Sequence, residues 1–482
     1  MHRSRSQQVV VALVLSAAFL AADLCATESL RVADSLSVGF ATTDITPRWD
    51  GERPVYLAGY MPGRRAEGVH DPLAARGIVF RHRERKLAFV SVDLIGLQME
   101  TVDRIRKELK DYDHVTVAST HNHSGPDVIG IWGKSFLRRG VDDEYLRKVV
   151  RSVVECVRLA EQKLEQVRGR FGTATDEKLL HDSRLPIVTD PTIRVLEFTR
   201  VSDGAPAGLL VQWSCHPESL RSSNRQLTAD FPAAVVATLE KRRRCPVVYF
   251  SGAVGGLMAP PHQLQVGDRA LQRGTWEFCR AYGERVAELA LQAVRQASPL
   301  SLTPLRFCAE RILVPVRNPW YRAARLTGVV RRKSYAWTGD PLERGRPMKL
   351  LHATRIGAIE SEVGYWQLGE LGLALIPGEL YPELLEGKID SPAEADYPDA
   401  PREPSIKQTL PTRQWMLAGL ANDEIGYLIP ARQWDARPPF AYGKRTSQYG
   451  EINSCGPDSA RIVLESLARC TDSVTKAVLA KQ

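Results

Sequence analysis

Four stretches of the sequence set a residue able to hold a metal ion just beyond an apolar run. Residues 115–118 lead into "STHNHSGPD", where His121 and His123 stand two apart before a Gly-Pro turn. Residues 209–213 lead to His216 in "WSCHPESL", 371–376 to Glu379 in "LIPGEL", and 415–420 to Tyr427 in "ANDEIGY". Imidazole nitrogen and carboxylate oxygen are zinc donors, and a zinc with one open position acidifies bound water. In an open α/β sheet, ligands collect beyond the carboxyl ends of the strands, so the shared layout would bring these groups to one edge. His-x-His also arises without a metal, and a single His216 serves equally as a hydrogen-bonded core histidine.

The elements that must position these groups follow from periodicity. Residues 87–92 are a short apolar strand ending at Asp93, and 100–109 carry Val102, Ile105 and Leu109 at helical spacing. With the strand at 115–118 they read β-α-β, which requires parallel neighbours. A helix is expected over 144–166, with Leu146, Val149, Val153, Val157, Ala160 and Leu164 on one face. Asp230 reads as the cap of a helix reaching Arg242, with Pro232 in its first turn. Further strands fall at 192–198, 209–213, 247–250, 371–376 and 415–420, and a further helix at 276–296. The sum predicts an α/β fold: a mixed, largely parallel central sheet flanked by helices, with long loops at its carboxyl edge. Segments 317–350, rich in Arg, Pro and Gly, and 390–404 read as loop insertions. Loops of that length are lids, partner-binding segments or solvated excursions.

Composition narrows the class. The 482 residues are 44% hydrophobic and 25% charged, room for one large domain or two medium ones. Residues 1–26 read as a signal peptide: His2, Arg3 and Arg5 precede an apolar stretch at 9–22, and small residues end near Ala26. That predicts an exported protein, periplasmic, extracellular or at the cell surface, with an uncleaved anchor as the alternative. The eight cysteines are irregularly spaced with no CxxC, which excludes a disulfide framework and a cysteine zinc site. One or two disulfides or buried thiols both stay open. The net charge of +9 suits an anionic surface, including peripheral contact with a membrane. With no accompanying nucleic-acid motif, it does not indicate nucleic-acid binding.

The motifs also carry a resemblance. "STHNHSGPD" resembles the Thr-His-Thr-His-Ser-Gly-Pro metal motif of the neutral/alkaline, non-lysosomal ceramidases. "CHPESL" is similar to their second histidine motif, "IPGEL" to their Pro-Gly-Glu segment, and "GLANDEIGY" to their tyrosine-bearing segment. "YGEINSCGP" is similar to the Tyr-Glu…Gly-Pro element that follows, and all occur in the family's order. The resemblance implies one catalytic domain over 36–470 in a compact bacterial member, without the C-terminal immunoglobulin-like domain of longer members. It implies zinc on His121, His216, Glu379 and Tyr427, and no other cofactor. His123 would carry a proton or donate to an oxyanion. Arg184, in "HDSRLP", would lie near the substrate. Asp93 would orient a ligand histidine or cap the next turn.

The implied activity is hydrolysis of a linear amide by zinc-activated water, on an N-acyl lipid such as ceramide. The alternatives are a different amide or ester, or a catalytically silent surface-binding homologue. One position departs from the family. Where the ceramidases carry a Gly-Asp-Val-Ser-Pro-like segment, this chain reads "SGAVGGLMAPP", with Met258 at the serine's place. Methionine neither donates a hydrogen bond nor acts as a nucleophile. Gly252, Gly255 and Gly256 keep the form of the loop and could bring backbone donors to an oxyanion.

Overall fold

The computed structural model describes residues 35–348 and 356–479. The predicted signal peptide, 1–26, lies outside the described residues. The first part of the chain runs β1 (Ser37–Asp44), β2 (Ala74–His82), β3 (Arg85–Val92), α1 (Met99–Glu108), β4 (His114–Ser119), α2 (Asp143–Glu161), β5 (Glu165–Thr175), β6 (Thr192–Arg200), β7 (Pro206–Trp213), α3 (Phe231–Arg243), β8 (Val247–Ser251) and α4 (Trp276–Gln296). The second runs β9 (Leu305–Pro315), β10 (Gly357–Leu368), β11 (Leu371–Leu375), β12 (Glu379–Leu380), β13 (Gln414–Ala418), β14 (Tyr427–Leu428) and α5 (Ser459–Leu479). Shorter pieces join them.

The large sheet is ordered β8-β7-β6-β5-β1-β2-β3-β4. The α/β class and the mixed sheet hold, but the strand sense differs from expectation. Only β3–β4 and β7–β8 pair in parallel along this path, each spanned by a helix, α1 and α3. The β1–β2, β1–β5, β2–β3, β5–β6 and β6–β7 pairs are antiparallel. The reason is connection length. His82 pairs with Arg85 across a two-residue turn, which closes a hairpin and cannot span a parallel crossover. α2 also ends earlier than its periodicity suggests, and the chain re-enters the sheet at Glu165.

Alternation along the strands builds the layers. In β3, Ala88, Val90 and Val92 face the core beneath α1 and α2, while Leu87 and Phe89 face the other way. In β8, Val247 and Tyr249 face α3 and α4, while Val248 and Phe250 face inward. The inner faces meet, with the rings of Phe89 and Phe250 5.1 Å apart and those of Phe80 and Phe198 6.0 Å apart. The result is helix, sheet, sheet, helix. A second sheet, β9-β10-β11-β13, closes this inner core with Trp366, Leu373 and Met416, and packs α5 on its other side.

Segment 317–350 is not wholly irregular: it holds a helix at Pro319–Leu326 and a short strand at Tyr335–Ala336. The seven described cysteines are free thiols. Among the described residues, no helix is long and apolar enough to cross a membrane.

Candidate metal centre

β4 ends at Ser119, and the chain turns sharply at His121, whose φ of 65° is the left-handed region an L-residue avoids. The turn is held from several sides. Ser251 Oγ donates to Thr120 O at 2.7 Å, and Asn122 Nδ2 donates to the carbonyls of Asp93 and Thr228. His121 Nδ1 donates to Ile95 O at 2.7 Å. Beyond β7, His216 Nδ1 donates to Met258 O at 2.6 Å, and the His216 backbone N–H reaches the same oxygen. Asp230 caps α3 as expected. Its carboxylate also accepts from Ser219 N and Oγ and from Leu220 N, pinning the loop that follows His216. Glu379 and Tyr427 arrive together, because β12 and β14 pair in parallel with these two residues in register.

The four residues meet. Glu379 Oε2 lies 2.9 Å from His216 Nε2 and 3.3 Å from His121 Nε2. One ring nitrogen from each of His121, His123 and His216 lies within 4.8 Å of the other two. The hydrogen-bond network assigns both Nδ1 atoms a proton. Both Nε2 atoms then face the same carboxylate oxygen. Such a buried gathering of acceptors repels itself unless a cation or protons lie between them. His123 adds two buried ring nitrogens with no hydrogen-bond partner. The donor set fits a divalent ion that takes imidazole nitrogen and carboxylate oxygen.

Electrostatics agree. Burial opposes charge on Glu379, yet the two imidazoles outweigh it and hold the carboxyl well below its usual range. Burial and the neighbouring Glu379 push the Tyr427 phenol well up, so as a ligand it needs a strong positive charge beside it. Burial drives His123 well below the usual histidine value.

Other expected residues fall elsewhere. Arg184 is buried, and its terminal nitrogens are engaged by Leu185 O, Gln433 O and Glu451, with Glu451 at 2.7 Å. Its guanidinium stacks 4.8 Å over Tyr381, whose ring meets Tyr427 at 5.9 Å. It therefore props the wall behind Tyr427, with both terminal nitrogens engaged within the protein, where the resemblance implied a place near the substrate. Asp93 does not orient a histidine through its carboxylate, which binds Arg76 and the Ala74 N–H. The Met258 side chain is buried in the core beneath α3 and α4, so only its carbonyl serves the centre.

Several neighbours escaped the sequence reading. Tyr60 sets its ring edge-on to His123 at 5.2 Å, and Gly59 is so close that a Cβ there would come within 2.6 Å of His123 Nδ1. Glu218 Oε2 lies 3.7 Å from His123 Nδ1 and its other oxygen pairs with Arg273. The nearby Glu424 is pushed well up by burial and by Glu379. Glu218 and Glu424 stand inside the quoted motifs, so their place in the chain was visible though their role was not.

Comparison with known proteins now bears on this geometry. Residues 36–270 match the model for the neutral/alkaline non-lysosomal ceramidase N-terminal domain. Those residues belong to that family. The ceramidase-like chain is 25% identical over 315 residues to a neutral ceramidase of Pseudomonas aeruginosa, covering 58% of this chain and 45% of that protein. It is 23% identical over 252 residues to neutral ceramidase A of Dictyostelium discoideum, covering 46% of this chain and 34% of that one. The alignments thus span less than half the length of either relative. The crystal structure of neutral ceramidase from P. aeruginosa superposes with a TM-score of 0.68 at 17% identity, over 92% of this chain and 75% of that one. A ceramidase complexed with C2 gives 0.67 at the same identity. These two likenesses establish the fold. Glu379 and Tyr427 lie beyond the family-matched residues.

Proposed function

We propose that the ceramidase-like chain is an exported, zinc-dependent hydrolase of a linear amide, an N-acyl lipid of the ceramide class. The observation that carries this reading is the convergence of two Nε2 atoms on one buried Glu379 oxygen. His121, His216, Glu379 and Tyr427 would hold the metal. A bound zinc polarises an amide carbonyl and acidifies a water beside it. The chain's own groups do the rest. Ile95 O and Met258 O keep the two ligand rings in one tautomer and one orientation. His123, with no hydrogen-bond partner on either ring nitrogen, is free to take a proton from water and pass it to the leaving amine. The backbone of Gly255 and Gly256 can approach an oxyanion closely. Met258 favours a second reading, an amide or ester other than ceramide, because that side chain supplies no hydroxyl at the centre.

The test combines metal analysis with a panel of N-acyl substrates, ceramide and a water-soluble N-acyl amine among them. Purified protein should hold stoichiometric zinc, and chelation should abolish hydrolysis that zinc then restores. His121→Ala and His216→Ala should each lose the metal. Retention of full zinc by both variants would sink the ligand assignment.

A further inference from the structure

Apart from the buried Arg332, which pairs with Asp423, the arginine-rich segment 317–350 lies away from the metal-site residues, and it carries an unusual surface. Its helix, Pro319–Leu326, buries none of its residues. Trp320, Ala323 and Leu326 recur at helical spacing and all are exposed, so the helix turns an apolar stripe to solvent. Arg317, Arg331 and Lys333 are exposed beside it. A second feature is its neighbour. The stretch "KSFLRR", residues 134–139, folds back tightly, Arg138 N donating to Ser135 O at 3.0 Å. Phe136 and Leu137 stand at its tip, 66% and 71% exposed, with Lys134 and Arg138 exposed on either side. Met61, 64% exposed, lies on the adjoining turn, which is joined by Gly63 N to Gly133 O at 2.8 Å. Asp143 ties turn to insertion, pairing with Arg139 at 3.0 Å and Arg331 at 3.5 Å. The turn also leads back to the centre: Trp132 Nε1 donates to Tyr60 O, and Tyr60 lies against His123.

We infer that the 134–139 turn and the Pro319–Leu326 helix form a docking surface for an anionic lipid layer. Exposed Phe, Leu, Met and Trp side chains leave water for the boundary between headgroups and acyl chains. The cations flanking them meet headgroup phosphates while their stems lie along the apolar side chains. The net charge of +9 pulls in the same direction. A second copy of this chain is the poorer occupant, because it would set these cations against one another. The surface deepens the proposed function, since it would bring the centre to where an N-acyl lipid resides, and to that extent rests on it.

The test is co-sedimentation of the full chain with vesicles of phosphatidylcholine alone and of phosphatidylcholine with phosphatidylglycerol. Wild type should bind the anionic vesicles and be released by salt. The pair Phe136→Ser and Leu137→Ser, and separately Trp320→Ser, should weaken binding by about tenfold or more. The pair Lys134→Glu and Arg138→Glu should weaken binding to anionic vesicles and leave little salt dependence. All these variants should keep wild-type zinc content and wild-type hydrolysis of the soluble N-acyl amine. Vesicle binding without any hydrolysis would overturn the hydrolase reading and leave the docking surface standing. Variants that bind vesicles like wild type would overturn the docking surface, as would a wild-type dimer in sedimentation that the apolar substitutions dissolve.

Discussion

The two parts of the chain furnish the metal centre by different means. His121 and His216 come from strand ends in the first part, and each is oriented by a carbonyl of that same part, Ile95 O or Met258 O. Glu379 and Tyr427 come from the second part, on a two-residue parallel pairing too short to stand alone. That pairing is held from across the junction. Asn422 Oδ1 accepts from Val117 N at 3.0 Å, and Asn422 N donates to Val117 O at 2.7 Å. Asp423 accepts from Met99 N at 3.0 Å and pairs with the buried Arg332. Ser119 N and Ser251 O are engaged by Leu420 O and Gly419 N. The imidazoles are thus preorganised within one part, whereas the oxygens are in place only when the parts are docked. The family-matched stretch, 36–270, holds the first set and lacks the second.

This contrast can be broken or sharpened by substitution. The largest effect should come from Glu379→Ala, which removes the oxygen both Nε2 atoms face. Zinc affinity should fall by more than about a hundredfold, beyond what loss of a supporting contact costs. Isothermal titration would measure it, and unchanged affinity would mean the histidines bind alone. Next comes the junction. Asp423→Ala takes from the buried Arg332 guanidinium its close carboxylate, leaving Glu100 at 3.9 Å and the carbonyls of Glu360 and Glu424, and should cost about 3 kcal/mol in denaturant unfolding. A loss below 1 kcal/mol, by the measure used for exposed pairs, would show that the junction contributes little.

The facing acids Asp182 and Glu383, one from each part, should give a smaller effect. Burial pushes them up to about 6 and about 7. Between the ordinary 4.5 and about 7, folded Glu383 keeps a proton that the unfolded chain releases. Stability from this group is therefore present at low pH and lost as pH rises through that window. Glu383→Gln should flatten the fall and gain about 1–3 kcal/mol at alkaline pH. A pH series of melting curves that superposes for the two proteins would refute this. The smallest effect should be Met258→Leu. It keeps the carbonyl that orients His216, so zinc content should not change and stability should fall by less than about 1.5 kcal/mol. Loss of metal in this variant would show that the side chain matters as well as the backbone.

Much of the local structure was legible because helical periodicity and strand-like apolar runs are local signals. The helix over 276–296 has the predicted bounds, and Asp230 caps α3. Of the longer strands, those that went unread, β1, β2, β5, β9 and β10, are largely those that pair antiparallel. β10 carries Glu360 and Glu362 among its apolar residues, and buried Glu362 is met by Arg311 from the facing strand β9 and by Arg106 and His114 from the first part of the chain. A charged residue answered by partners far along the chain, from about 50 to about 250 positions away, does not look like a strand residue from the sequence. Arg184 shows the same thing: the resemblance put it near the substrate, and Glu451, far along the chain, engages its charge.

The sequence by itself determined which donors were available, His121, His216, Glu379 and Tyr427, because residue type and distance from a strand end are properties of the linear chain. Only the tertiary structure decided that their atoms meet, that Nδ1 is tied to a carbonyl while Nε2 faces Glu379, and that Met258 serves through its carbonyl. Orientation at a buried centre is set by hydrogen bonds between segments that packing brings together, and no linear spacing encodes them.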